Sequence, residues 1–151
     1  MPRYPSDIDA MWIASDSLGQ VGSFVTGGQG PIPISLIERG EEFIGGIEAS
    51  LFDLPICCDS ILANEFGMAD DFIDLATRGF FVFDWSDVYR TQKHELNVYE
   101  LKTIPIRPLL VQDLPKLLRD IAESNVIKSV EFQMSAQIDV NSCLRCMRRE
   151  W

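Results

Sequence analysis

Two β-rich runs near the N-terminus constrain this chain most. Asp9 to Ser15 sets Met11 and Ile13 around Trp12, and Val21 to Thr26 repeats the apolar, β-branched pattern. Asp16-Ser17-Leu18-Gly19 separates them and supplies turn chemistry, with Gly19 able to take positive φ. The pair reads as an antiparallel hairpin. Its exit, Gly27-Gly28-Gln29-Gly30-Pro31-Ile32-Pro33, reads as a loop whose prolines keep it out of a ladder.

Helical signals follow. Ser35-Leu36-Ile37-Glu38 has capping-box spacing, in which serine and glutamate satisfy backbone donors at a helix start. Leu36, Ile37, Phe43, Ile44, Ile47 and Leu51 make an approximate stripe that Gly40 and Gly45-Gly46 weaken, so one broken helix and two short ones fit equally. Leu54-Pro55 ends the segment, and residues 56–67 carry little pattern. Met68 to Arg78 reads as a helix with Asp70 and Asp71 in its first turn, an Asp74–Arg78 surface pair, and Gly79 just past its end.

Phe80 to Phe83 is a buried strand, Arg90 to Glu95 a turn, and Asn97 to Ile106 a returning strand that Pro105 and Pro108 move to an edge or end. Asp113-Leu114-Pro115 predicts a helix with Asp113 as N-cap and Leu114, Leu117, Leu118 and Ile121 on one face. Val126 to Gln133 reads as a last strand, and Asn141 to Trp151 as a short basic helix. The sum is one α+β domain over residues 1–151, a mostly antiparallel sheet packed on two to four helices.

The charge is uneven. Residues 1–90 hold 4 Lys+Arg against 15 Asp+Glu, whereas residues 91–151 hold 9 against 8. An acidic surface is repelled by nucleic acid and by anionic membranes, and it draws in a basic protein faster. No apolar run approaches the roughly 20 residues of a membrane span, and no signal-peptide h-region opens the chain, so the cytoplasm is the expected compartment. There Cys57, Cys58, Cys143 and Cys146 are expected as reduced thiols. The Cys143-x-x-Cys146 spacing would make a zinc site only if Cys57 and Cys58 both turned toward it; no metal and no cofactor is expected.

Catalytic chemistry finds little to build on. His94, the only imidazole, sits between Lys93 and Glu95 in a turn, a poor place for a pre-organised base. Gly27-Gly28-Gln29-Gly30 lacks the Gly-Lys-Ser/Thr ending and the following helix of a phosphate loop. Asp84-Trp85-Ser86-Asp87, with Tyr89 nearby, is richer. Its ordinary reading is a core tryptophan flanked by turn aspartates, and its functional reading is an aromatic anchor beside charges in an interface. The expected partner-binding residues are Glu41, Glu42, Glu48, Asp70, Asp71, Asp74, Asp84, Trp85, Asp87 and Tyr89. The competing readings are a small hydrolase or modification-reversing enzyme using Asp84 and Asp87, and a structural subunit of a larger complex.

The run Trp12-Ile13-Ala14-Ser15-Asp16-Ser17-Leu18-Gly19-Gln20-Val21-Gly22-Ser23-Phe24, with Thr26-Gly27-Gly28, Gly30-Pro31-Ile32-Pro33 and Phe83-Asp84-Trp85-Ser86-Asp87-Val88-Tyr89-Arg90, resembles small bacterial proteins of the polymorphic-toxin immunity type. Such proteins are encoded beside secreted toxins, including effectors of contact-dependent and type VI delivery systems. The resemblance implies a cytoplasmic protein, not an enzyme, that binds a toxin domain tightly and occludes its active site. It carries over no binding residues. The expected partner is a cognate, basic toxin domain, with no nucleic acid and no membrane involved. The chain itself is expected as a monomer or weak homo-oligomer.

Overall fold

Alternating large apolar residues on short runs bounded by turns build a sheet buried on both sides. The computed structural model describes residues 3–5, 9–63, 70–85 and 98–148. Strands β1 (Met11–Asp16) and β2 (Val21–Val25) pair antiparallel from Met11↔Val25 to Ser15↔Val21. Gly19 takes φ 78° in the turn, and the Asp16 carboxylate accepts the N–H groups of Leu18 and Gln20. Its other oxygen accepts the Phe132 N–H at 2.8 Å, so this buried aspartate ties the hairpin to the C-terminal third of the chain.

Around the hairpin a seven-stranded mixed sheet forms, in the order β4-β6-β5-β2-β1-β7. Here β4 is Ser60–Leu62, β5 Phe81–Trp85, β6 Tyr99–Pro105 and β7 Val126–Ile127. The β2–β5 and β1–β7 pairs are parallel; β5–β6 and β4–β6 are antiparallel. The seventh strand, β8 (Gln137–Ile138), pairs with Tyr99 and Glu100 and so shares the outer edge of β6 with β4. A separate two-stranded ribbon joins β3 (Ile32–Pro33) to β9 (Cys146–Met147).

One sheet face is aromatic. Phe24 stacks between its cross-strand neighbours Trp12 and Phe83, at centroid distances of 4.4 and 4.9 Å. Tyr99 meets Trp12, Phe24 and Trp85 edge-on, and Phe132 lies over Phe24, Phe81 and Phe83. Burying each such ring contributes about 1.5–3 kcal/mol. The opposite face carries Ile13, Ser23, Val82 and Thr103 in register. Helix α4 (Lys116–Ser124) sits there, with Ser15 Oγ donating to Ala122 O, and α3 (Asp70–Ala76), with Thr103 Oγ1 donating to Phe72 O. Helix α2 (Glu41–Phe52) packs on β1 and against α3, following the single turn of α1 (Ile34–Ile37).

Several expectations change. Ile32-Pro33 does join a ladder, at its end, where the missing proline N–H is harmless and Ile34 N–H bonds Arg145 O instead. Ser35 does not cap: α1 begins after Pro33, and the Ser35 hydroxyl donates to Asn125 Oδ1. Gly40, at φ 94°, separates two helices, while Gly45 and Gly46 stay inside α2. Asp113 closes a 3-10 turn by accepting the Leu110 N–H, so Pro115 takes the N-cap position of α4. Leu117 is 47% exposed, and Leu114, Leu118, Ile121 and Ala122 form the buried face.

Arg78 donates to the main-chain oxygens of Asp74 and Leu54 rather than to the Asp74 carboxylate. Pro105 ends β6 without moving it to an edge, because β4 and β8 pair beyond it. The last strand stops at Ile127, since Phe132 turns away to cover the aromatic face. In the tail, a 3-10 turn at Val140–Ser142 and β9 replace the expected helix up to residue 148. The turn expected at Arg90–Glu95, with His94, lies outside the described residues.

Candidate functional site

The acidic residues singled out on the two helical segments are placed by helical periodicity. In α2, Ile44, Ile47 and Leu51 face the core, which leaves Glu41, Glu42 and Glu48 exposed. Glu41 and Glu48 fall two turns apart on the same side. In α3, Phe72, Leu75 and Ala76 are buried, and Asp70, Asp71 and Asp74 are exposed. Glu41 and Glu42 lie in the first turn of α2, and Asp70 and Asp71 in that of α3, where the helix dipole favours carboxylates.

Because α2 packs against α3, Glu48 lies within the electrostatic reach of Asp71. The Glu48 carboxyl is raised above its ordinary range, first by partial burial and then by the charges of Asp71 and Asp9. Asp9 belongs to the site and was not among the expected residues. Its sequence position says only that it opens the first β-rich run of the hairpin. It is brought beside the helices because Thr26 and Gly27 fold back on the strand entry, with Gly27 N–H donating to the Asp9 carboxylate at 2.8 Å. Burial raises the Asp9 carboxyl as well, while the Gly27 bond pulls the other way.

Two cations of this half are engaged elsewhere. The Arg39 guanidinium lies 3.9 Å over the Phe43 ring, and that of Arg78 lies 5.4 Å over Phe52 while bonding main-chain oxygens. The face carries carboxylates from three segments, more than the two guanidinium groups beside it, and so a net negative field.

The second expected group sits differently. Asp84 is half-buried and pairs in register with Glu100, whose carboxylate lies 3.6 Å from Lys102 Nζ in a buried ion pair. Trp85 is only 6% exposed, with its ring against Tyr99, so it belongs to the core and not to an exposed aromatic loop. Sequence spacing cannot distinguish these, because a strand that alternates aromatics looks the same buried or exposed. Asp87 and Tyr89 lie outside the described residues.

The four cysteines are free and fall into two pairs, each with its own surroundings. Cys57 and Cys58 adjoin Thr77 and Arg107; burial, then Cys58, pushes the Cys57 thiol up. Burial, then Cys143 and Asp139, pushes the Cys146 thiol up to about 12. Among the described residues no group of three or more His, Cys, Asp or Glu comes together to hold a metal. At Gly30, a Cβ would meet Tyr99 Oη at 2.5 Å, and Tyr4 donates to its carbonyl, so this glycine is needed for close packing.

Comparison with protein-family models, curated proteins and solved structures finds no match to the chain. No helix among the described residues is long and apolar enough to cross a membrane. The acidic α2–α3 face is the best-defined part of the site.

Proposed function

We propose that this chain is a cytoplasmic binding protein of the immunity type, which neutralises a cognate, basic bacterial toxin domain by docking on it and occluding its active site. The observation that carries the reading is the exposed acidic surface of the packed α2–α3 pair, with Glu41, Glu42 and Glu48 on one helix and Asp70, Asp71 and Asp74 on the other. Like charges held together cost stability, so a surface that keeps them is explained by what it attracts. The sequence resemblance supplies the immunity assignment, and the charge supplies the chemistry of the partner.

Affinity capture from the native cell tests this. The tagged chain is expected to retain a basic protein encoded beside it, and a Glu48→Lys/Asp71→Lys variant of equal thermal stability is expected to lose it. Retention of the same protein by both removes the acidic face from the interface.

A second reading is favoured by one observation. Asp84 is half-buried and in register with Glu100, beside the buried Glu100–Lys102 ion pair, and a small hydrolase or modification-reversing enzyme would use it with Asp87. Asp84→Asn distinguishes the two: full protective activity in that variant excludes a catalytic carboxylate there.

A further inference from the structure

The sheet ends at β4, and the geometry of that edge is fixed by its pairing. Ala63 N–H donates to Lys102 O and Ile106 N–H donates to Asp59 O, so residues 59, 61 and 63 turn their main-chain groups toward β6. Ser60 and Leu62 therefore turn theirs away, and no described strand lies beyond them. Edges are commonly blunted by lysine, proline or inward charges. Ser60-Ile61-Leu62 is short but carries no lysine, proline or charge, and it exposes Ile61 at 52% and Leu62 at 46%, with Ile106 at 57% beside them.

The two faces of this edge differ in chemistry. Ile61 pairs with Ile104, and Ile106 follows two residues on, so one face presents three isoleucines, bounded by Asp59 opposite Ile106. Leu62 pairs with Thr103, whose hydroxyl bonds Phe72 of α3, so the other face runs toward the helix bearing exposed Asp70, Asp71 and Asp74. A strand added to an edge sends alternate side chains to opposite faces. Charge and apolar complementarity then specify its sequence.

We propose that β4 is a docking edge for an extended segment of a basic protein, in which apolar residues alternate with Lys or Arg. The apolar set covers Ile61 and Ile106, and the cationic set reaches the α3 carboxylates. This rests on the binding-protein reading above and names the surface it uses.

The test titrates the full-length, isotope-labelled chain with a heptapeptide alternating lysine and valine, and with heptalysine as the purely electrostatic probe. The alternating peptide is expected to protect the Ser60 and Leu62 amides from exchange. Ile61→Lys, at an exposed position, is expected to weaken it at least about tenfold, the effect of a gatekeeping charge on an added strand. Leu62→Pro, which removes an outward donor, is expected to do the same, with melting curves confirming that both variants fold.

Shifts confined to α2 and α3 with both peptides, and no protection at β4, overturn the docking edge but leave the acidic-face reading standing. No response to either peptide removes both. Concentration-dependent protection of Ser60 and Leu62 without peptide assigns the edge to a second copy of this chain and also overturns the proposal.

Discussion

Tyr99 joins the aromatic core to the loop that covers it. Its hydroxyl accepts from Trp12 Nε1 at 3.2 Å and donates to Pro31 O at 2.8 Å, and burial holds its ionisation well above the ordinary range. Tyr99→Phe keeps the ring contacts and strands both partners, so it is expected to cost about 1–3 kcal/mol in urea unfolding. Glu48 gives the opposite sign. A raised carboxyl means the folded state prefers the protonated form, so this group aids folding as pH falls through its raised pKa and opposes it above. Glu48→Gln is therefore expected to stabilise the chain near neutral pH by about 0.3 kcal/mol, the screened scale of surface charges. The gain should shrink as pH falls through the raised pKa; a gain that grows instead would reverse the assignment.

At the scale of elements, α1 and α2 show what local sequence can and cannot specify. Their apolar stripe was legible, as was the weakness at Gly40, but which glycine breaks the helix was not. Only the φ of 94° at Gly40 settles it. A Cβ at either Gly40 or Gly45 meets nothing within 4 Å, so substitution there reads backbone conformation alone. Gly40→Ala is expected to lose about 1–3 kcal/mol, because φ 94°, ψ 162° is backbone space open essentially to glycine alone, and Gly45→Ala to gain about 0.5–1 kcal/mol of helix propensity. Chemical denaturation of the two variants checks both signs. The hairpin, α3 and β5 were legible because their periodicity and turn residues are local. The short strands β4, β8 and β9 were not, since each of two or three residues exists only through its partner: β4 through β6, β9 through Ile32–Pro33; β7 keeps only the first two residues of the strand expected at Val126. Likewise Ser35 and Asp113 had capping spacing, but a tertiary bond to Asn125 took the Ser35 hydroxyl, and the Asp113 carboxylate closes the preceding 3-10 turn on Leu110.

At the scale of the molecule, the charge asymmetry was the legible part of the candidate site. Exposure of Glu41, Glu42, Glu48, Asp70, Asp71 and Asp74 followed from which helix positions were apolar. That Glu48 feels the charges of Asp71 and Asp9 did not, because it depends on how α2 meets α3 and on the hairpin exit that holds Asp9. Trp85 went the other way, since Tyr99, its cross-strand partner, closes over it. The central claim is that this face captures a basic partner by its field. The most direct measurement is the association rate of the captured partner with the native chain across ionic strength. The account predicts a rate that falls steeply as salt rises, with a dissociation rate that changes little. An association rate unchanged between low and high salt would contradict it.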